Sequence, residues 1–416
     1  MRITIRAAAA AAGLMFFLPF IGRAEASPQY KVLYAFCPSG TCTDGRGPSS
    51  RPILDKHGNV FGATSVDEGL VYEVSTKGKE TVVHQFCSSC GEGTTPVGNL
   101  IMDVRGNLYG VTNEAGPHGS GAIYELSPGK NNTWRLTTLY GFCAEANCTD
   151  GVTALAGLTY DGAQSGALYD GKSPLYGTTQ RGGTADAGVA YELSLKHHGK
   201  KITYSVIYNF CTQANCADGG NPQAGLLPDG KGNLYGTAAD GGGTNRDGVV
   251  FELASENKTF VENVLYSFCT DASCPDGDTP GPIVSDTAGN LYGVAVGGGT
   301  HGSGAIFKLT SSGKESVLYS FCSMNDCADG MEPNDVTMAS DGSLWGTTYL
   351  SGTGEAGTLF QLKNGKFTVV HAFCSATNCS DGGEPDSAVT FDASGNAFGT
   401  TSTGGSGAGT VYRITP

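Results

Sequence analysis

LYGTAADGGGTNRDGVVFEL, residues Leu234–Leu253, holds two short apolar runs on either side of a glycine-rich loop. In the second run Phe251 and Leu253 stand two residues apart, the period of a strand with one buried face. The same unit recurs down the chain. An aromatic-Gly pair comes at Phe61-Gly62, Tyr109-Gly110, Tyr176-Gly177, Tyr235-Gly236, Tyr292-Gly293, Trp345-Gly346 and Phe398-Gly399. Behind each pair follows an aromatic with an aliphatic two positions on, from Tyr72/Val74 to Tyr412/Ile414.

Two further signals keep the beat. Asp103-Val-Arg-Gly106-Asn107 and Asp286-Thr-Ala-Gly289-Asn290 carry the Gly and Asn that tight hairpins require. Phe-Cys closes each unit, first at Phe36-Cys37 and last at Phe373-Cys374, at intervals of 50, 56, 68, 58, 53 and 52 residues. Self-similarity at this period marks a propeller, solenoid or array. Each unit reads as four strands, A to D; in the second they fall near 97–103, 107–112, 121–127 and 133–142. Four strands repeated seven times predict an all-β, seven-bladed propeller with four-stranded antiparallel blades. A β-helix is the alternative, but its rungs are shorter and lack these hairpins. The chain opens with a lone D-type strand at Tyr30–Phe36 and closes on a C-type strand at Gly409–Thr415. The first strand is therefore expected to complete the last blade and remove two exposed edges.

At this point the sequence resembles the GloVer tandem-repeat family of exported bacterial proteins. The resemblance rests on LYGTTQRGGTADAGVAYEL (Leu175–Leu193) and the Leu234–Leu253 stretch, and extends over residues 30–416. It implies export and a propeller-like fold. It implies no activity and no catalytic residues, and the added Cys pair of each unit departs from the family pattern.

Composition agrees with a turn-rich β-protein: Gly is 64 of 416 residues and only 15% are charged. The net charge of −14 supplies no basic footprint for nucleic acid and no polybasic membrane patch. Residues 1–26 read as a secretory signal: Arg2 and Arg6, an apolar run Ala7–Ile21 interrupted by Pro19, and Ala24-Glu25-Ala26 before the cleavage point. Residues 27–416 are then one domain, a monomer that is secreted, periplasmic or held at the cell surface, with no membrane span once the signal is cleaved.

In such a compartment fourteen cysteines are expected as disulfides. The expected partners are Cys37 with Cys42, Cys87 with Cys90, Cys143 with Cys148, Cys211 with Cys216, Cys269 with Cys274, Cys322 with Cys327 and Cys374 with Cys379. A zinc site needs four ligands, and seven pairs do not divide into fours. A redox role for Cys87-Ser-Ser-Cys90 lacks a neighbouring cation or helix to lower a thiol pKa.

In a meander, D–A and B–C loops share one face, here called the top. Candidate binding residues on that face are Asp44, Asp150, Asp218, Asp276, Asp329 and Asp381, which recur after the Cys pairs; the second unit has Glu92 instead. Asp-Gly is first of all a turn dipeptide. The sharper reading is an acidic ring near the central channel that holds Ca²⁺. His118 and His301, in B–C loops, are candidate general bases. His84 and His371 replace a strand-D tyrosine and are expected to pack there. The third unit is lengthened at Tyr160–Pro174 and Leu195–Lys201, both on the bottom face, which argues against a top-face pocket there. His197 and His198 in the second insertion are expected to be solvated. No nucleophile elbow, P-loop, zincin or dinucleotide motif is present. The sequence thus points to a non-catalytic binding module for a glycan, small ligand or protein. A propeller-type lyase or glycosidase and a structural surface module are the alternatives, and asymmetric carboxylates in a pocket would favour the enzyme.

Overall fold

The computed structural model describes residues 28–416, apart from 197–200, 244–245, 258 and 272. The signal segment and the pair His197/His198 lie outside the described residues. The fold is a seven-bladed β-propeller, each blade a four-stranded antiparallel sheet in the order A-B-C-D. In blade 2 the strands are Thr94–Met102, Leu108–Glu114, Ala122–Pro128 and Trp134–Gly141, within a few residues of the sequence-based bounds. Blade 7 has Thr390–Phe391, Ala397–Thr401 and Thr410–Thr415 from the end of the chain, and Gln29–Ala35 as its outermost strand. Gln29 pairs with Thr415 and Ala35 with Thr410, so the ring closes as the strand pattern predicts.

The LYGTT motif is explained atom by atom. Its glycine lies under the strand-C aromatic: a Cβ on Gly236 would come within 2.5 Å of Phe251, and one on Gly62 within 2.3 Å of Tyr72. The first threonine joins blades. Thr178 Oγ1 donates to Ala224 O at 2.9 Å, Thr237 to Gly281 O at 2.9 Å, and Thr400 to Ser50 O at 3.1 Å across the closure. The second threonine stays within its blade, where Thr401 Oγ1 accepts from Thr410 N at 3.1 Å. The hairpin aspartate is just as local: Asp103 Oδ1 accepts from Arg105 N and Asn107 N, and Oδ2 from Asn107 Nδ2.

The core is the set of blade-to-blade interfaces. Phe61, Val71 and Phe86 of blade 1 pack on Leu100, Leu108 and Tyr124 of blade 2. Phe210 precedes the blade 3–4 step and is fully buried with Leu226, Leu234 and Phe251. Burying each such side chain contributes about 2–3 kcal/mol. Outside these cores, aromatics on the D strands of adjacent blades stack: Tyr140 on Tyr204 and Tyr319 on Phe367, each at 3.8 Å.

Candidate functional site

All fourteen cysteines are bonded within their own repeats. Cys37 bonds Cys42, Cys87 bonds Cys90, Cys143 bonds Cys148 and Cys211 bonds Cys216. Cys269 bonds Cys274, Cys322 bonds Cys327 and Cys374 bonds Cys379. Each disulfide closes the loop that follows strand D. Cys42 is exposed, and Cys148 and Cys327 are half-buried. Cys37 and Cys269 are buried and belong to the blade cores, so these bonds tie the surface loops to the cores beneath them. The B–C loop of the same top face docks on the disulfide loop, as Gly242 N donates to Cys216 O and Gly405 N to Cys379 O. Asp247 comes close to Cys269 and Cys274, but sulfurs bonded to each other offer no thiolate for a metal.

The recurring aspartates sit inside these loops, on the top face as expected, but not near the channel. Asp218 Oδ2 accepts from Tyr208 OH (2.8 Å), Thr212 N (2.8 Å) and Thr212 Oγ1 (2.9 Å), and Oδ1 from Gln213 N (3.2 Å). Asp44, Asp150, Asp276 and Asp329 hold the matching tyrosines Tyr34, Tyr140, Tyr266 and Tyr319. These tyrosines belong to strand D, the outermost of each blade, so the expected approach to the channel is corrected: the aspartates are spread around the rim of the ring. Burial pushes the Asp218 carboxyl up, but its four donors outweigh that and hold it below the usual carboxylate range. Where the tyrosine is a histidine the acid is still met: His371 Nε2 lies 3.0 Å from Asp381 Oδ2, and His84 Nε2 3.0 Å from Glu92 Oε1. Both histidines therefore pack as expected. His118 and His301 are exposed on B–C loops of blades 2 and 5. The structure does not bring either to a carboxylate among the described contacts.

What the structure does bring together is the wall of the central channel. Residues from the innermost strand or its approach in all seven blades enclose a cavity of about 780 Å³. Its depth is apolar, with the half-buried Ile53, Ile101, Leu227, Val284 and Met338. The upper part is polar, with Arg51, Asn99, Gln223, Asn334, Asp335 and Asp386. At the closest point the backbones of blades 2 and 3 touch: a Cβ on Gly98 would lie 1.9 Å from Gly157 N.

The Tyr160–Pro174 insertion changes this channel into a well. It lies on the bottom face as expected, yet it folds inward. Ala163, Gln164 and Leu168 line the cavity. Gln164 Nε2 donates to Pro228 O of blade 4, and Gln164 Oε1 accepts from Ser285 Oγ of blade 5 at 2.6 Å. On the other side Tyr169 exchanges backbone bonds with blade 2 through Val104 N and Met102 O. The insertion thus supplies a floor, and the expectation that it argues against a top-face pocket is corrected.

Two carboxylates and one cation furnish the well. Arg51 Nη2 donates to Asp335 Oδ2 at 2.5 Å and to Val336 O at 3.1 Å, tying blade 1 to blade 6 across the ring. Burial and the neighbouring Glu384 push the Asp386 carboxyl up to about 6, against a hydrogen bond from Ser402. Sequence reasoning singles out none of these. The signal is a break in the repeat: only blades 1, 6 and 7 carry charge at these positions.

Among the described residues no helix is long and apolar enough to cross a membrane. Seven disulfides fit an oxidising, extracellular setting. One solved structure supports the fold. The extracellular domain of a candidate one-component system from Bacteroides thetaiotaomicron superposes with a TM-score of 0.54 at 10% identity, over 92% of this chain and 39% of that one. This chain thus spans well under half of that protein. A candidate oxidoreductase (glucose dehydrogenase) from Thermus thermophilus gives 0.44 at 16% identity, over 77% and 94%. A puromycin-hydrolysing peptidase from Mycobacterium tuberculosis gives 0.47 at 11%, over 86% and 51%. No curated protein matches the sequence. The profile of the Gloeobacter/Verrucomicrobia repeat matches residues 160–328 and 276–416, more than half of the chain, and the protein belongs to that repeat family.

Proposed function

We propose that this chain is an exported binding module that takes a small organic ligand into the floored well at the centre of its top face. The observation that carries the reading is the floor. A propeller channel left open at both ends passes solvent; this one is covered beneath, from blade 2 to blade 5, by an insertion found in one blade alone. Concave, mostly apolar sites with a few convergent polar groups are where small ligands bind, and the wall has that composition.

A filled-well variant tests the reading. Gly225 lines the well, and a Cβ there would have its nearest neighbour 3.6 Å away at Gly157 O. Gly225→Phe places a ring in the well with the backbone unchanged. A panel of small organic compounds is screened by thermal shift on both proteins. Compounds that raise the melting temperature of the native chain and leave Gly225→Phe unmoved support the well. A panel without such compounds, or equal shifts in both proteins, removes it.

One observation favours a hydrolase as a second reading. Asp386, pushed up to about 6, lines the same well as Asp335, and a glycosidase works with two carboxylates flanking its substrate. Turnover of chromogenic glycosides that is lost in Asp386→Asn would move the assignment to an enzyme.

A further inference from the structure

Charge on this propeller is sorted by face. No D–A or B–C loop contains a lysine; their only cations besides histidine are Arg46, Arg51, Arg181 and Arg246. Every D–A loop carries at least one carboxylate, and Asp67, Glu68, Asp186, Asp240, Asp247 and Glu355 add to them from the B–C loops. Lysines instead populate the bottom turns, as at Lys56, Lys77, Lys130, Lys172, Lys314 and Lys363. The top face is therefore negative, with most of its carboxylates spread around the rim of the ring.

Inside the mouth the balance is also negative. The Arg51 charge is matched by Asp335 at 2.5 Å. Asp335 itself has only 10% of its side chain exposed, and its Oδ1 has no hydrogen-bond partner. That is an independent sign of a polar wall left incompletely satisfied, since buried carboxylate oxygens are ordinarily bonded. Asp386 adds a second carboxylate to the same wall, pushed up by burial and then by the neighbouring Glu384. Below this level the wall is aliphatic down to the insertion.

We infer that the well takes an organic cation: a compound with an ammonium head at the level of Asp386 and Asp335 and an apolar body lying against Ile53, Ile101, Val284 and Met338. The assignment rests on the well proposed above and names the chemistry of its occupant. An anionic ligand would face Asp386, Asp335 and the acidic rim together. A neutral polar ligand would leave the charge of Asp386 uncompensated in a half-buried place, where opposite charge within hydrogen-bonding reach is strongly favoured. The negative face also raises the local concentration of cations and speeds their entry, an effect that falls with salt.

Isothermal titration at pH 7.5 and low salt, with three probes of one shape, tests the charge. The probes are phenethylamine, 2-phenylethanol and 3-phenylpropionate. The expected result is that the amine binds at least ~10-fold more tightly than the alcohol, with the acid weakest. Asp386→Asn should bring amine and alcohol to comparable affinity, and Asp386→Glu should restore the preference, which separates charge from damage to the wall. Alcohol or acid binding as tightly as amine overturns the cation assignment and leaves the well in place. Amine binding that Gly225→Phe does not diminish overturns the location. Absence of heat from all three probes overturns the inference, while the thermal-shift panel decides the well independently.

Discussion

Tyr30 and His371 lie face to face, ring centroids 3.8 Å apart and planes within 6°. Tyr30 belongs to the strand that completes blade 7, His371 to the outer strand of blade 6. The closure is therefore more than a ladder of backbone bonds, because Tyr30 OH also donates to Asp381 O at 2.5 Å. Tyr30→Ala should cost about 3 kcal/mol, the range for truncating a packed aromatic, measured by urea unfolding. Removing residues 28–35 should leave the edge of Thr410–Thr415 unpaired and produce aggregation visible by light scattering. A monodisperse, equally stable truncation would show that the closure contributes nothing.

Asp218 should matter for stability rather than for ligands. Four donors converge on it in a buried loop, and Asp218→Ala leaves Thr212 N, Gln213 N and Tyr208 OH without their acceptor. A loss of about 2–4 kcal/mol is expected, with no change in probe binding at the well. Added Ca²⁺ should not restore the variant.

Three blade junctions should respond to pH. Where Tyr140 meets Tyr204 and Tyr319 meets Phe367, the corresponding neighbours of Tyr34, Tyr208 and Tyr266 are Glu80, Glu262 and Glu315. Burial, and then Asp44, Asp218 and Asp276 respectively, push each glutamate up to about 7. A carboxyl raised in the folded state binds more protons there than in the unfolded chain. Stability is therefore greatest below the unfolded value near 4.5 and falls as pH rises toward 7. All three groups are about half exposed, so solvent screening reduces the effect to ~1 kcal/mol each. Glu80→Gln, Glu262→Gln and Glu315→Gln together should flatten the melting temperature between about pH 5 and pH 7.5, read by differential scanning calorimetry. An unchanged slope would place the titration elsewhere.

The step between blades holds left-handed residues just ahead of strand A or within its first turn. Thr95, Asn221, Thr279, Glu332 and Glu384 have φ between 53° and 57°, and each precedes a proline. Their amides reach back to the previous blade, as Thr279 N does to Asp247 O at 3.0 Å. A β-branched residue is strained there, whereas Asn tolerates it. Thr279→Asn, which copies Asn221 of blade 4, should raise stability by ~0.5–1 kcal/mol. A drop would mean that the Thr279 side chain contributes more than its backbone conformation costs.

Blade number, strand order, closure and disulfide pairing were legible because each rests on a signal repeated through the chain. Repetition also set the limit of that reading. The aspartates recur, so they draw attention, and they are turn formers held by the tyrosine ten residues upstream. Arg51, Asp335 and Asp386 occur once each, at positions where other blades carry Gly98, Gly157 or Gln223, and a consensus hides them. The insertion is visible as extra length in one unit. Its inward path is not, because it is fixed by Gln164 meeting Pro228 and Ser285, residues of two other blades.

The strand Gln29–Ala35 has a temporal consequence. It is the first of the described strands to leave the ribosome, and its partner, Thr410–Thr415, is the last. Blades 1 to 6 can each form from contiguous chain as it emerges. Blade 7 cannot be finished until almost the whole polypeptide is present. Until then the leading strand is an unpaired edge tethered to blade 1. Folding of this ring is therefore gated by chain completion, and a truncated or stalled product carries its own sticky end.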